Sequence, residues 1–193
     1  MRYKVSAVLI LLASLTLCAG AATLPIDKNH SSVAFHVPII GGMSKVHGKF
    51  TDFDIQLNYD EADPTKSSVI ATIKVASIDT GIQDRDEDLR SEHFFNAQKY
   101  PDIVFESKHV EKQGDHLVAI GTLSMHGVTK DFSLPITLTG TFTDPATKKQ
   151  VMGFGANATL NRRDYGINWE HSVMANFVGD NVEVEIELLT KLK

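Results

Sequence analysis

Eight histidines are the residues of this 193-residue chain best suited to metal coordination or proton transfer. They could do either only if the fold brought them together. His30, His36, His47, His93, His109, His116, His126 and His171 are spread along the sequence, and no pair shows the i, i+4 spacing or short Cys/His clustering of a zinc site. His109 and His116 could face each other across a hairpin, but the Gly114, Asp115 turn between them accounts for that spacing. The histidines therefore read as surface or structural, and no ligand set points to copper or haem. A hydrolase would need a nucleophile beside a base, or paired carboxylates in a cleft. No G-x-S-x-G occurs, and Asp84, Arg85, Asp86, Glu87 and Asp88 read as a solvated, self-neutralising helix start. No catalytic residue, metal ligand or cofactor is expected, and the chain does not read as an enzyme.

Two polar groups stand inside otherwise apolar sequence. Arg85 and Asp86 precede Leu89, and Asn161, Arg162, Arg163, Asp164, Tyr165 and Gly166 follow a run that should end at a rim. They could pair locally and pin loops, or an arginine and a tyrosine hydroxyl could line a mouth and meet a polar head group.

The compartment follows from the first residues. Arg2 and Lys4 precede an apolar run from Val5 to Leu17, which ends in the small residues Ala19, Gly20, Ala21 and Ala22. That is the pattern of a cleavable secretory signal over residues 1–22, too short for a comfortable membrane span, and it predicts a periplasmic protein. The single cysteine, Cys18, lies within this signal, so the mature chain can use neither disulfides nor thiol chemistry. Removing Arg2 and Lys4 takes the net charge from -5 to -7, and no dense basic patch appears, which argues against nucleic acid. The remainder, residues 23–193, suits one domain with one core.

Along that remainder apolar and polar residues alternate with period two, the signature of strands with one buried face. Val182, Val184, Ile186 and Leu188 take one face while Glu183, Glu185 and Glu187 take the other. The alternation recurs from Val33 to Val37, Phe53 to Leu57, Val69 to Val75, Phe132 to Leu138 and Phe154 to Leu160. Less regular runs at 103–107 and 117–123 complete about eight strands. Pro135 inside a strand pattern implies a bulge or a locally unpaired position, and Phe50, out of phase with Phe53, implies another bulge. Residues 82–97 predict one or two helical turns across an end, anchored by Leu89, Phe94 and Phe95. The expected fold is all-β, an eight-stranded antiparallel barrel capped at one end by a short helical segment. Small residues on candidate inward faces, Ala71, Ala156 and Ala158, with Gly121, Gly153 and Gly155 nearby, either leave space inside or permit tight packing and twist.

Several short pieces, in this order, resemble the YceI-like, or polyisoprenoid-binding, proteins of bacteria. They are Asp27 with His30, Ser31 and Phe35; Gly48, Lys49, Phe50 and Phe53; and Ser77 to Thr80. Next come Arg85, Asp86, Leu89, Ser91, Phe94 and Phe95; then Tyr100, Pro101 and Phe105 to Ser107. The last are Gly121 to Leu123, His126 to Lys130, Asn161 with Arg162, Asp164 to Gly166, and Val182 to Leu188. The resemblance implies a lipocalin-like barrel whose apolar pore holds a polyisoprenoid or isoprenoid quinone, in a periplasmic and often homodimeric protein. It further implies a transient contact with the membrane or a membrane cytochrome b561. On this basis Phe35, Phe53, Ile73, Phe105, Phe132, Phe154 and Ala156 are the expected pore lining, with Arg85, Asn161, Arg162 and Tyr165 as candidate head-group contacts. Two other classes stay open at this point. One is a redox accessory or enzyme acting on isoprenoid quinone, and the other a stress-response module with a filled barrel and a protein partner.

Overall fold

The structure, a computed structural model, describes residues 21–191, so the expected signal peptide lies, apart from Ala21 and Ala22, outside the described residues. Eleven strands form one sheet. They are β1 (Ala22–Leu24), β2 (Ser32–Ile39), β3 (Ser44–Phe50), β4 (Phe53–Tyr59), β5 (Ser68–Lys74), β6 (Ile78–Asp79), β7 (Asp102–Gln113), β8 (His116–Met125), β9 (Val128–Thr143), β10 (Gln150–Asn161) and β11 (Asn181–Lys191). The order is β1-β4-β5-β7-β8-β9-β10-β11-β2-β3-β6, with antiparallel neighbours throughout.

The sheet thus departs from the expected barrel in two ways: it has eleven strands rather than eight, and it curls without closing into a continuous ladder. The break in the ladder comes from one corner. Followed round the sheet through its antiparallel pairs, β3 and β4 run in the same direction, so they are two halves of one bent strand. The first half pairs with β2 and the second with β5. Thr51 and Asp52 form the bend, where the Thr51 amide donates to Ser77 O (3.1 Å) and Asp52 O accepts from the Lys74 amide (2.9 Å). The predicted bulge at Phe50 is therefore a corner. Phe50 and Phe53 both point inward because the chain changes direction between them.

Pro135 causes no bulge against β8, where it pairs in register with Val118. On its other side the β9–β10 ladder ends at Ile136 and Ala156, the position next to it, so Pro135 marks the point where these strands stop pairing. Helix α1 (Gln83–Arg90) and the turns after it lie across one end, together with the β2–β3 and β8–β9 turns and the long 162–180 connection. At the opposite end the N-terminal segment crosses from β4, where Leu24 pairs with Leu57, to β11, where Ile26 bridges Thr190. Leu24, Met152 and Thr190 are buried there and plug that end.

Gly121 owes its identity to a β-bulge in β7, which shifts the β7–β8 register between Ser107 and His109. A Cβ on Gly121 would stand 2.0 Å from the carbonyl oxygen of Glu106 and 2.7 Å from the Cα of Ser107. Because both atoms are backbone, no rotamer change relieves the clash. Gly121→Ala is expected to cost about 2–4 kcal/mol, read as a fall in denaturant midpoint at unchanged m-value. An unchanged midpoint would show the bulge to be dispensable.

Acid sensitivity follows from the carboxylates. Hydrogen bonds from His30 and the Asn29 amide hold Asp27 below the usual carboxylate range, Lys108 does the same for Asp131, and Lys45 for Glu183. Backbone amides of Thr147 and Ala146 lower Asp144. A depressed folded-state pKa stabilises the protein above the unfolded value, and that contribution is lost as pH falls through the folded one. The melting temperature is expected to hold near neutrality and to fall progressively below about pH 4, as a calorimetric pH series would show.

Candidate ligand cavity

The curl encloses a cavity of about 180 Å³ whose exposed surface is hydrocarbon throughout. Every long strand contributes inward positions. Val33, Phe35 and Val37 come from β2, Ile55 and Leu57 from β4, Ala71 and Ile73 from β5, and Phe105 from β7. Phe132, Leu134 and Ile136 come from β9, Phe154, Ala156 and Ala158 from β10, and Val182, Val184, Ile186 and Leu188 from β11. Leu89, Phe94, Phe95, Ile167 and Val178 close the α1 end. An apolar cavity of about 150 Å³ is already enough to take up benzene, so this one exceeds a packing defect. Small side chains make the room: Ala71, Ala156 and Ala158 all lie on its wall. Gly121 and Gly153 do not, since their missing side chains accommodate Glu106 and Thr139.

Of the expected lining residues, Phe35, Ile73, Phe105, Phe132, Phe154 and Ala156 stand on the wall. Phe53 does not. It is buried in the surrounding core, beside the corner that the sequence pattern concealed.

The four head-group candidates are occupied elsewhere. Arg85 donates from Nε to Thr80 Oγ1 (2.7 Å) and from Nη2 to Thr80 O (2.9 Å), while the buried Asp86 carboxylate accepts from the Thr80 amide and hydroxyl. Together these pin the chain entering α1. Asn161 caps the following turn by accepting from the Arg163 amide (2.9 Å). Arg162 lends its hydrocarbon stem to the cavity wall but turns its guanidinium to Gly179 O (3.1 Å), Ile167 O (2.7 Å), Val178 O (3.3 Å) and the Asp180 carboxylate (3.1 Å). Burial pushes its pKa down, against the pull of Asp180. Tyr165 is buried, its phenol pushed up by desolvation, and does not line the cavity. The polar groups that the sequence left between two roles thus hold loops.

Two histidines, His36 and His47, meet across the β2–β3 ladder with ring centroids 4.6 Å apart. His30 pairs with Asp27, His93 with Asp88 and His109 with Glu111, and His126 meets the carbonyl of Tyr165. Among the described residues no group of three His, Cys, Asp or Glu side chains could hold a metal ion.

One feature of the site escaped the sequence. Outside the wall, between β9 and β10, lies a solvent-open groove of about 570 Å³, lined by His36, Phe132, Ser133, Pro135, Asn157, Ala158, Thr159, Glu183 and Glu185. Pro135 was its only sequence signal. The exposed apolar residues Ile40, Met43, Val173 and Met174 also cluster, on two loops joined by the Ile40 N to Phe177 O hydrogen bond (2.8 Å) at the α1 end.

A curled antiparallel sheet around a hydrocarbon cavity is an architecture that can enclose an apolar ligand within the fold itself. The chain belongs to the YceI-like domain family, whose sequence pattern matches residues 24–189. Protein YceI of Escherichia coli O157:H7 is 39% identical over 160 residues, spanning 80% of this chain and 83% of that protein. Among solved structures, Burkholderia cenocepacia BcnA superimposes with a TM-score of 0.75 at 21% identity, covering 86% of this chain and 99% of BcnA. A polyisoprenoid binding domain from Saccharophagus degradans superimposes with a TM-score of 0.59 at 16% identity, covering 90% of this chain and 99% of that domain.

Proposed function

We propose that the protein is a periplasmic carrier that holds a polyisoprenoid chain, or an isoprenoid quinone, in the cavity and exchanges it without a covalent step. The observation that carries this reading is the cavity itself, walled by valine, isoleucine, leucine and phenylalanine along its length. Each methylene transferred into such a wall contributes about 0.8 kcal/mol, so a tail binds firmly without a specific polar partner. The family membership supports it, as does the polyisoprenoid binding domain of the same fold. Export rests on the N-terminal charge and hydropathy pattern. The exposed Ile40, Met43, Val173 and Met174 offer a surface for transient contact with a bilayer, where such a ligand resides. Dimerisation and contact with a membrane cytochrome b561 extend the proposal by family resemblance alone.

The test is direct. Protein purified from its host envelope should release an organic-extractable isoprenoid, and delipidated protein should withdraw a labelled polyprenol from vesicles, more slowly after Met43→Asp with Val173→Asp. Protein that yields no lipid and takes none up would remove the carrier reading.

A further inference from the structure

The groove outside the cavity has an unusual backbone. Strand β9 stays paired with β8 as far as Val128, and β10 stays paired with β11 as far as Asn161. Between β9 and β10, however, the ladder stops at Ile136 and Ala156. Beyond that point two strand edges face each other across the groove, and alternate amide and carbonyl groups on each lack a ladder partner. Phe132 and Ala158 line both the groove and the apolar cavity, so the split is a port through the wall.

Three polar side chains at this port are uncommitted. Ser133, Asn157 and Thr159 are exposed and make no side-chain hydrogen bond among the described residues. Among the described residues the lining includes no lysine or arginine. Its charges are Glu183 and Glu185. Glu183 already holds Lys45 at 2.7 Å, and Glu185 meets His36 Nε2 at 3.4 Å. Nδ1 of His36 is buried without a hydrogen-bond partner among the described residues.

We propose that the polar head of the bound amphiphile sits in this port, with its tail in the cavity, and that the head is an uncharged hydroxyl or carbonyl rather than a phosphate. The inference rests on the carrier reading above. Neutral oxygens suit the free amides, hydroxyls and Asn157 carboxamide of the two edges, whereas a phosphate would stand beside two carboxylates with no lysine or arginine among the described residues of the lining to offset them. Entry is then lateral, tail first between the separated strands, and the four arginine, asparagine and tyrosine candidates of the 85 and 161–165 segments play no part in recognition.

The experiment uses delipidated mature protein and three probes of equal chain length: an isoprenoid hydrocarbon, the corresponding alcohol, and its monophosphate. Binding is followed by the fluorescence of Trp169, whose ring lies 5.3 Å from that of the wall residue Phe94. The alcohol should bind more tightly than the hydrocarbon and at least about tenfold more tightly than the monophosphate. Glu183→Gln with Glu185→Gln, and separately Asn157→Lys, should each raise monophosphate affinity relative to the alcohol by about tenfold. A wild-type protein that binds the monophosphate as well as the alcohol overturns the proposal. So does a preference that neither variant moves. Binding of the hydrocarbon with no head-group preference removes the port and leaves the carrier reading intact, while failure of all three probes removes both.

Discussion

Replacing Ala156 by phenylalanine is expected to abolish ligand binding while leaving the sheet folded. Ala156 lies on the cavity wall, paired with Ile136 of β9 on one side and Ile186 of β11 on the other. An aromatic ring at that position has no route but inward, into a space of about 180 Å³. Excluding about five methylenes of a bound tail would cost about 4 kcal/mol, which is about a thousandfold in Kd. The folded state should tolerate the ring, because overpacking costs about 1–3 kcal/mol even in a filled core and here the ring enters existing space. The melting temperature of the unliganded variant should therefore change by less than about 5 °C. Calorimetry and lipid titration together check the prediction. Full-strength binding in a folded Ala156→Phe variant would place the ligand outside the curl.

The sequence made the inward faces legible because most strands keep strict alternation, and register then follows from which face is apolar. Val182, Val184, Ile186 and Leu188 appear on the wall for that reason. What it hid is explained by particular residues. Strand β3 reads SKVHGKF, and its inward positions are Val46, Gly48 and Phe50, with the middle side chain missing. Gly48 pairs with Phe35, and a Cβ there would come within 2.2 Å of the Phe35 ring, so the aromatic lies over the glycine and fills its place. The hydrophobic signal of β3 is thus supplied by its neighbour across the ladder. Strands β1 and β6 are three and two residues long, too short for any periodicity to register.

The polar site was less legible for a different reason. A charged residue in an apolar context advertises that something satisfies it, but sequence cannot say whether the partner is a ligand or the chain's own backbone. For Arg85 and Arg162 the partners are Thr80 and the 167–180 connection, both separated from them by stretches with no pattern of their own. The port has the opposite character. It consists of ladder bonds that stop, and only Pro135, which lacks an amide to donate, records that in the sequence.

Arg162→Met is expected to produce a large loss of stability and little loss of head-group selectivity. The side chain is 5% exposed, and its guanidinium serves three carbonyls of residues 167, 178 and 179 as well as Asp180. Backbone contacts strengthen the same junction: the Arg162 amide donates to Asp180 O (2.9 Å), and Arg162 O accepts from the Ile167 amide (3.2 Å). Methionine keeps the hydrocarbon stem on the cavity wall but strands these acceptors, a loss of about 3–5 kcal/mol. At this chain length that corresponds to a fall in melting temperature of roughly 10 °C or more. Asp180 softens the effect, because Arg163 Nε holds the same carboxylate oxygen at 2.7 Å. Lysine should recover only part of the loss, since a compact ammonium cannot reach carbonyls arrayed around a planar fork. A head-group contact would give the reverse pattern: an unchanged melting temperature, and an affinity that falls for headed lipids while the hydrocarbon binds as before. The two outcomes separate a loop clamp from a recognition residue, and the four bonds already made by the guanidinium favour the clamp.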